Sequence, residues 1–238
     1  LTLLILAIPL LTLRLLAILP SRRPPPQPRT RGSPVCLLIV LGSGGHTAEM
    51  LAMLRKVDLG DYTRRVWVVG EGDEFSVSQA RSFEDQLSKS LRGNVENGSA
   101  SSMQIDGGDG STGTSKQQRR VGDYEIKTVP RAREIHQPLL TTPFSSLRTL
   151  LTCFPLLLYP SPPDLILTNG PATATILIFA SLLLRFFDIK GCHSKGKMRT
   201  IYVESWARVK RLSLSGRLLE GVVDRFVVQW EGLEGGKA

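Results

Sequence analysis

Cysteine and histidine are scarce and scattered in this sequence. The three cysteines (Cys36, Cys153, Cys192) are spaced too widely for a disulfide framework or a zinc pattern, so a reducing, cytosol-facing setting is the simplest reading. The three histidines (His46, His136, His193) show no metal-ligand spacing, and neither a metal nor a cofactor is expected. No acidic residue occurs before Glu49. Neither short phosphate-binding signature is complete. A Walker loop needs Gly-Lys-Ser/Thr, which is missing, and a dinucleotide fingerprint needs a third glycine where Thr47 stands. The acidic residue expected about 20 positions further on is only loosely supplied by Glu71 or Asp73. A nucleotide-dependent oxidoreductase or NTP-binding module is thereby disfavoured.

What is present centres on residues 35–50, VCLLIVLGSGGHTAEM. The apolar run 35–41 does not alternate, as suits a strand buried on both faces of a parallel sheet. Gly42, Ser43, Gly44 and Gly45 then allow a sharp turn and a close approach by a ligand. A helix expected over 47–57, with Met50, Met53, Leu54 and Val57 on one face, would aim its positive end at the loop. Such a unit suits an anionic ligand, although a tight turn without a ligand would read the same way.

The chain has 238 residues and a net charge of +9. Residues 1–20 are apolar apart from Arg14 and read as a transmembrane anchor. The linker 21–34 carries Arg22, Arg23, Arg29 and Arg31 among prolines, which places the remainder of the chain in the cytosol. A cleaved signal peptide is the competing reading, but the basic flank lies on its wrong side. Residues 92–120 are rich in Gly, Ser, Asn and Gln and read as a disordered insertion within a domain spanning 35–230, with a tail at 231–238. About 160–170 residues then remain, enough for one real core.

Strands are expected at 64–70, 124–129, within 162–171 where the strand ends in a turn, at 201–206 and at 222–230. Helices are expected from Ser76, whose spacing to Gln79 resembles a capping box; from Thr142-Pro143, with Thr as cap; and over 172–187. Residues 137–163 hold one charge, Arg148, so the helix with Phe144, Leu147, Leu150, Leu151 and Phe154 lies either in the core or against a membrane. The charge-free run 165–184 is broken by Asn169-Gly170-Pro171, which favours strand, turn and helix over a second span. Alternating strands and helices imply an α/β doubly wound, Rossmann-like parallel sheet. Its carboxyl edge would gather the Gly loop, Arg131 and Arg133, Asn169 and Gly170, and Glu204, Ser205 and Arg208. A basic, cytosol-facing crevice tied to a bilayer points to a phosphate-bearing lipid substrate.

Five segments, GSGGHTAEM (42–50), VPRAREIHQ (129–137), TNGPATA (168–174), IYVESWARVKRLSLSGRLL (201–219) and FVVQW (226–230), resemble the membrane-anchoring subunit of the two-subunit UDP-N-acetylglucosamine transferase of dolichol-linked oligosaccharide synthesis. More distantly, the loop is similar to the acceptor half of MurG-type glycosyltransferases. The resemblance implies the N-terminal half of a GT-B fold, held in the endoplasmic reticulum or nuclear envelope membrane by one span. It also implies binding of GlcNAc-diphosphodolichol and recruitment of a soluble UDP-GlcNAc-binding catalytic subunit, with no nucleic acid involved. A single six-strand domain fits such a division of labour. A purely structural membrane scaffold is the alternative.

In the catalytic reading His46 is the general base, or else a loop histidine bonding backbone or diphosphate. Glu204 orients the sugar or acts as the base, or else pairs with Arg208. Acceptor and diphosphate binding falls to Gly42, Ser43, Gly44, Gly45, Thr47, Arg131, Arg133, Asn169, Gly170, Ser205 and Arg208. The sequence departs from the resemblance at Ala172, where a glycine is expected, and at Ala174, near an expected cysteine. A longer segment is also expected after VQW. That shortfall and the first residue, Leu1, point to a truncated chain or a weakened complex.

Overall fold

A computed structural model describes residues 2–23, 33–100, 122–133, 137, 141–170 and 172–233. Most of the expected linker (24–32), insertion (101–120) and tail (234–238), together with His136 and Pro171, lie outside the described residues. The elements in chain order are α1 (Thr2–Ile18), β1 (Cys36–Val40), α2 (Gly45–Leu54), β2 (Arg64–Gly70), α3 (Glu74–Ala100), β3 (Asp123–Val129), α4 (Thr142–Leu158), β4 (Leu165–Asn169), α5 (Thr173–Phe186), β5 (Arg199–Val203), α6 (Leu214–Leu219) and β6 (Arg225–Val227).

All six strands are parallel, in the order β3-β2-β1-β4-β5-β6. This is the doubly wound α/β arrangement expected from the sequence. The chain winds outward from β1 to β3, returns to lay β4 beside β1, and winds outward again. Ligands bind open sheets of this kind where the order reverses, outside the carboxyl ends of the central strands. Here that point lies between β1 and β4.

The apolar run of β1 follows from its central place, since all five residues are buried. Leu37 and Ile39 pack with Met50, Leu51, Leu54, Trp67 and Phe83 on one face of the sheet. Cys36, Leu38 and Val40 pack with Cys153, Leu157, Leu177 and Leu184 on the other. A polar group is buried beside the first cluster. Arg65 and Glu84 are both fully buried and joined by two bonds of 2.8 Å, from Nε to Oε1 and from Nη2 to Oε2. The Trp67 indole N–H donates to Glu84 Oε1 as well, and Arg65 also reaches the carbonyls of Tyr62 and Gly122.

Helix boundaries differ from the sequence reading for local reasons. α2 begins two residues earlier than expected and ends at Leu54, which leaves Val57 exposed rather than on the core face. The cap of α3 is Asp73, whose carboxylate accepts from the N–H and the hydroxyl of Ser76, so Ser76 lies inside the first turn. α3 runs on to Ala100, nine residues into the stretch expected to be disordered. In α4, Thr142 is already helical and Thr141 holds the cap position without a side-chain cap bond. The buried stripe of α4 is Thr149, Cys153 and Leu157, while Phe144, Leu147 and Leu151 are 76%, 52% and 57% exposed. Core packing therefore accounts for only part of this helix.

Among the described residues no helix is long and apolar enough to cross a membrane. α1 has 17 residues, about 25 Å at 1.5 Å per residue, against a hydrocarbon core of about 30 Å. Its far end is fastened to the domain. Arg14 donates to the carbonyls of Phe186 and Arg185 at 2.7 Å each, and Arg185 donates back to the carbonyl of Ile18. Arg23 bonds both oxygens of Asp224, and it also bonds the carbonyls of Lys197 and Met198. Burial, and then the nearby Arg23 charge, hold the Arg185 guanidinium down at about 10, still protonated at neutral pH. Ile8, Leu10, Leu11, Leu13 and Leu15 of α1 remain exposed.

Candidate functional site

The loop after β1 and the loop after β4 meet at the switch point. A Cβ on Gly42 would come within 2.7 Å of His46 Cβ and 3.4 Å of the Gly170 Cα, so only glycine lets the two loops close on the imidazole. Gly170 itself has φ +82°, a conformation glycine adopts without strain. α2 opens at Gly45, which puts His46 in its first turn rather than in the loop. The Asn169 side-chain amide donates to the His46 carbonyl, tying β4 to this turn. Thr47 is buried, and its hydroxyl is engaged with the Gly42 carbonyl and with Ser76 Oγ. It holds the turn together and presents nothing to a ligand. Gly44, with φ +63°, serves the same turn.

From the other side come β5 and the segment after it. Glu204 is buried. Its Oε2 accepts from the N–H and hydroxyl of Ser213 at 3.0 and 2.9 Å, and its Oε1 from the Ser205 N–H at 3.1 Å. Ser213 in turn caps α6 by accepting from the Gly216 N–H at 2.9 Å. Glu204 thus braces α6 against the end of β5. No ion pair joins it to Arg208 among the described residues, although both line the same crevice.

That crevice has a volume of about 620 Å³. It gathers Ser43, Gly45, His46, Gly170, Glu204, Ser205 and Arg208, all expected from the sequence, and it adds Glu49, Tyr202, Ala207 and Ser213. Glu49 accepts from Ser205 Oγ at 2.9 Å, and its other oxygen lies 3.6 Å from His46 Nδ1. Its spacing of three residues from His46 on a helix was the available signal. Tyr202 stacks on Phe226 at 5.5 Å, and its hydroxyl makes only long contacts, 3.4 Å to the Gly170 carbonyl and 3.5 Å to Ser213. Burial pushes this hydroxyl up to about 12, so at neutral pH it is a donor and not a base. Strand alternation places Tyr202 and Glu204 on one side of β5, which could have revealed it.

Arg131 and Arg133 are not brought in. They follow β3, two strands away from β1, where Arg131 bonds the Glu71 carbonyl at 3.1 Å and Arg133 the Gln137 carbonyl at 3.2 Å. Arg208 is the basic side chain that lines the crevice, beside the carboxylates of Glu49 and Glu204. Anion binding there would rest on Arg208, on the amides of residues 43–45 and on the amino end of α2. Among the described residues no three His, Cys, Asp or Glu side chains converge to hold a metal ion.

Ala172, where the sequence departs from its resemblance, occupies φ +37° and ψ −72° at the cap of α5. A residue with a Cβ is strained there by about 1–3 kcal/mol. Ala172→Gly relieves that strain at an entropic cost of about 0.5–1 kcal/mol. A net gain of about 1 kcal/mol should raise Tm by about 2–4 °C in thermal unfolding. An unchanged or lowered Tm would show the turn to be relaxed with alanine.

A family model described as "Oligosaccharide biosynthesis protein Alg14 like" matches residues 37–237. The chain is 37% identical over 230 residues to the UDP-N-acetylglucosamine transferase subunit alg14 of Aspergillus fumigatus, covering 79% of this chain and 93% of that one. It is 36% identical over 226 residues to the subunit of the same name in Cryptococcus neoformans, covering 92% and 84%. With that of Rattus norvegicus it shares 35% over 225 residues, covering 94% and 87%. No solved structure matches.

Proposed function

The chain belongs to the Alg14-like family of oligosaccharide biosynthesis proteins, and on that premise we propose that it is a non-autonomous subunit of a UDP-N-acetylglucosamine transferase. Its part is to bind GlcNAc-diphosphodolichol and to recruit a soluble subunit that carries UDP-GlcNAc. Together they add the second GlcNAc of the precursor for protein N-glycosylation. The observation that carries this reading is the crevice at the β1/β4 switch point, where His46, Arg208 and the amino end of α2 surround one opening.

In the reaction the acceptor hydroxyl attacks the anomeric carbon of the donor sugar, the bond to UDP breaks, and the hydroxyl proton must leave. His46 takes that proton as general base. The amides of residues 43–45 and the α2 dipole hold the acceptor's diphosphate, and Arg208 offsets its charge. The Tyr202 hydroxyl, kept protonated by burial, donates to an acceptor oxygen. Glu204 keeps the far wall in place through Ser213 and does not take part in proton transfer.

Attachment to the cytosolic face of the endoplasmic reticulum or nuclear envelope is assigned to α1, the single membrane segment, followed by its arginine-rich flank. The uncovered Phe144, Leu147 and Leu151 of α4 would rest on the same bilayer, since α5 packs against both helices. The engagement of Glu204 in internal bonds favours a second reading, in which the chain only localises its partner.

One reconstitution separates the two. The chain and the soluble subunit are combined in vesicles with UDP-GlcNAc and a GlcNAc-diphospho-lipid. Transfer is expected only with both proteins present, and it should fall sharply with His46→Ala. Full transfer by that variant, with membrane recruitment still dependent on the chain, would establish the scaffold. Transfer by the chain alone would sink the divided enzyme.

A further inference from the structure

The buried ring nitrogen of His46 faces a carboxylate that is itself held still. His46 Nδ1 has no hydrogen-bond partner and lies 3.6 Å from Glu49 Oε2. The second oxygen, Oε1, accepts from Ser205 Oγ at 2.9 Å, and Ser205 Oγ accepts from the Ala207 N–H at 3.3 Å. The side chain of Glu49 is 15% exposed and that of His46 28%, so the pair sits at the crevice wall, partly screened from bulk water. A line of contacts thus runs from the loop after β5, through Glu49, to the imidazole in the first turn of α2.

We infer that Glu49 is a positioning residue for His46, fixing both the tilt of the ring and the nitrogen that carries its proton. The inference rests on the reading of His46 as the base. A neutral imidazole has one N–H and one lone pair. With the N–H on Nδ1 it points at the carboxylate. With the N–H on Nε2, the Nδ1 lone pair would face a negative charge across 3.6 Å, which is repulsive. The carboxylate therefore selects the Nδ1–H tautomer and leaves the Nε2 lone pair for the crevice, where an acceptor hydroxyl would arrive. Ser205 stops the carboxylate from turning away. A separation of 3.6 Å is too long for a hydrogen bond, and such contacts often tighten when a substrate is bound.

A merely structural Glu49 would tie α2 to the loop after β5 without influencing the tautomer, so the deciding measurement reads the tautomer directly. The full chain carrying ¹⁵N-labelled histidine is studied by NMR above the titration range of imidazole, with the His46 signals identified through His46→Gln. Wild type is expected to hold its proton on Nδ1. Glu49→Ala should move it largely to Nε2, the tautomer free imidazole prefers. Ser205→Ala, which frees the carboxylate without removing it, should give a mixture, and it serves in place of Glu49→Ala should that variant misfold. The same tautomer in all three proteins would overturn the inference.

Transfer kinetics in the reconstituted complex add an independent reading. Glu49→Ala should lower kcat by about 10–100-fold, the usual effect of losing an orienting partner, with KM for the acceptor little changed. Glu49→Gln, whose carbonyl can still accept from Nδ1–H, should recover part of the loss. A rise in KM alone would count against positioning. If the tautomer switches but His46→Ala leaves transfer intact, the pairing stands and the base assignment falls.

Discussion

Glu84→Ala is expected to lower stability by about 3–5 kcal/mol, the range for removing one partner of a buried ion pair. The variant leaves the Arg65 guanidinium fully buried with two donors unmatched, and it takes the acceptor from the Trp67 indole. The carbonyls of Tyr62 and Gly122 still bind Arg65, but they carry no charge. Against a total of about 5–15 kcal/mol, this is enough to unfold a marginal domain. The urea midpoint should fall by about 1–5 M for a slope of about 1–3 kcal/mol/M. The double variant Arg65→Met/Glu84→Leu separates the causes. Without a charge left behind, most of the loss should return, apart from about 1–3 kcal/mol for the unpaired indole N–H. If the double variant is as unstable as the single one, packing around Trp67 and not the stranded charge is what matters.

His46→Ala is expected to lower kcat of the reconstituted transferase by about 10²–10⁴-fold, the contribution typical of a general base. The fold should survive. The Asn169 bond is to the His46 main chain, and the ring occupies a crevice wall and not the core. The ratio of kinetic constants distinguishes the two roles open to this residue. A base acts in the transition state, so kcat and kcat/KM should drop together. A histidine that only held the diphosphate would raise KM for the acceptor and leave kcat nearly intact.

The central strands were legible because burial on both faces leaves an unbroken apolar run, whereas the edge strand expected at 222–230 is confined to Arg225–Val227. β1 and β2 are of the unbroken kind, and β4 was rescued from a transmembrane reading by Asn169-Gly170-Pro171. Helix starts were less legible. The capping-box spacing to Gln79 pointed to Ser76, whereas the cap is Asp73, whose carboxylate takes the Ser76 N–H and hydroxyl. Of the site, the residues on the loops after β1, β4 and β5 came together because topology alone puts them there. Arg131 and Arg133 stayed away for the same reason, since β3 is the far edge of the sheet. The role of Glu204 was illegible because its partner, Ser213, stands nine residues on, beyond any helical spacing. Glu49 was hidden by looking ordinary, an acidic residue on a helix whose meaning depends on Ser205 from the opposite wall.

The fastening of α1 bears on how the crevice would meet a lipid. A domain hung on a flexible proline-rich tether sweeps a volume set by the tether's length, and its encounters dilute as that length grows. Here the far end of α1 is clasped by Arg14 and Arg185, and Arg23 beyond it by Asp224, on the near side of the proline-rich segment. The reach of the site is then independent of that segment. On the proposed attachment of α1 to a bilayer, the opening would be carried at one height and one tilt, like a reading head over a track. The search for a lipid acceptor would then reduce to lateral drift beneath it.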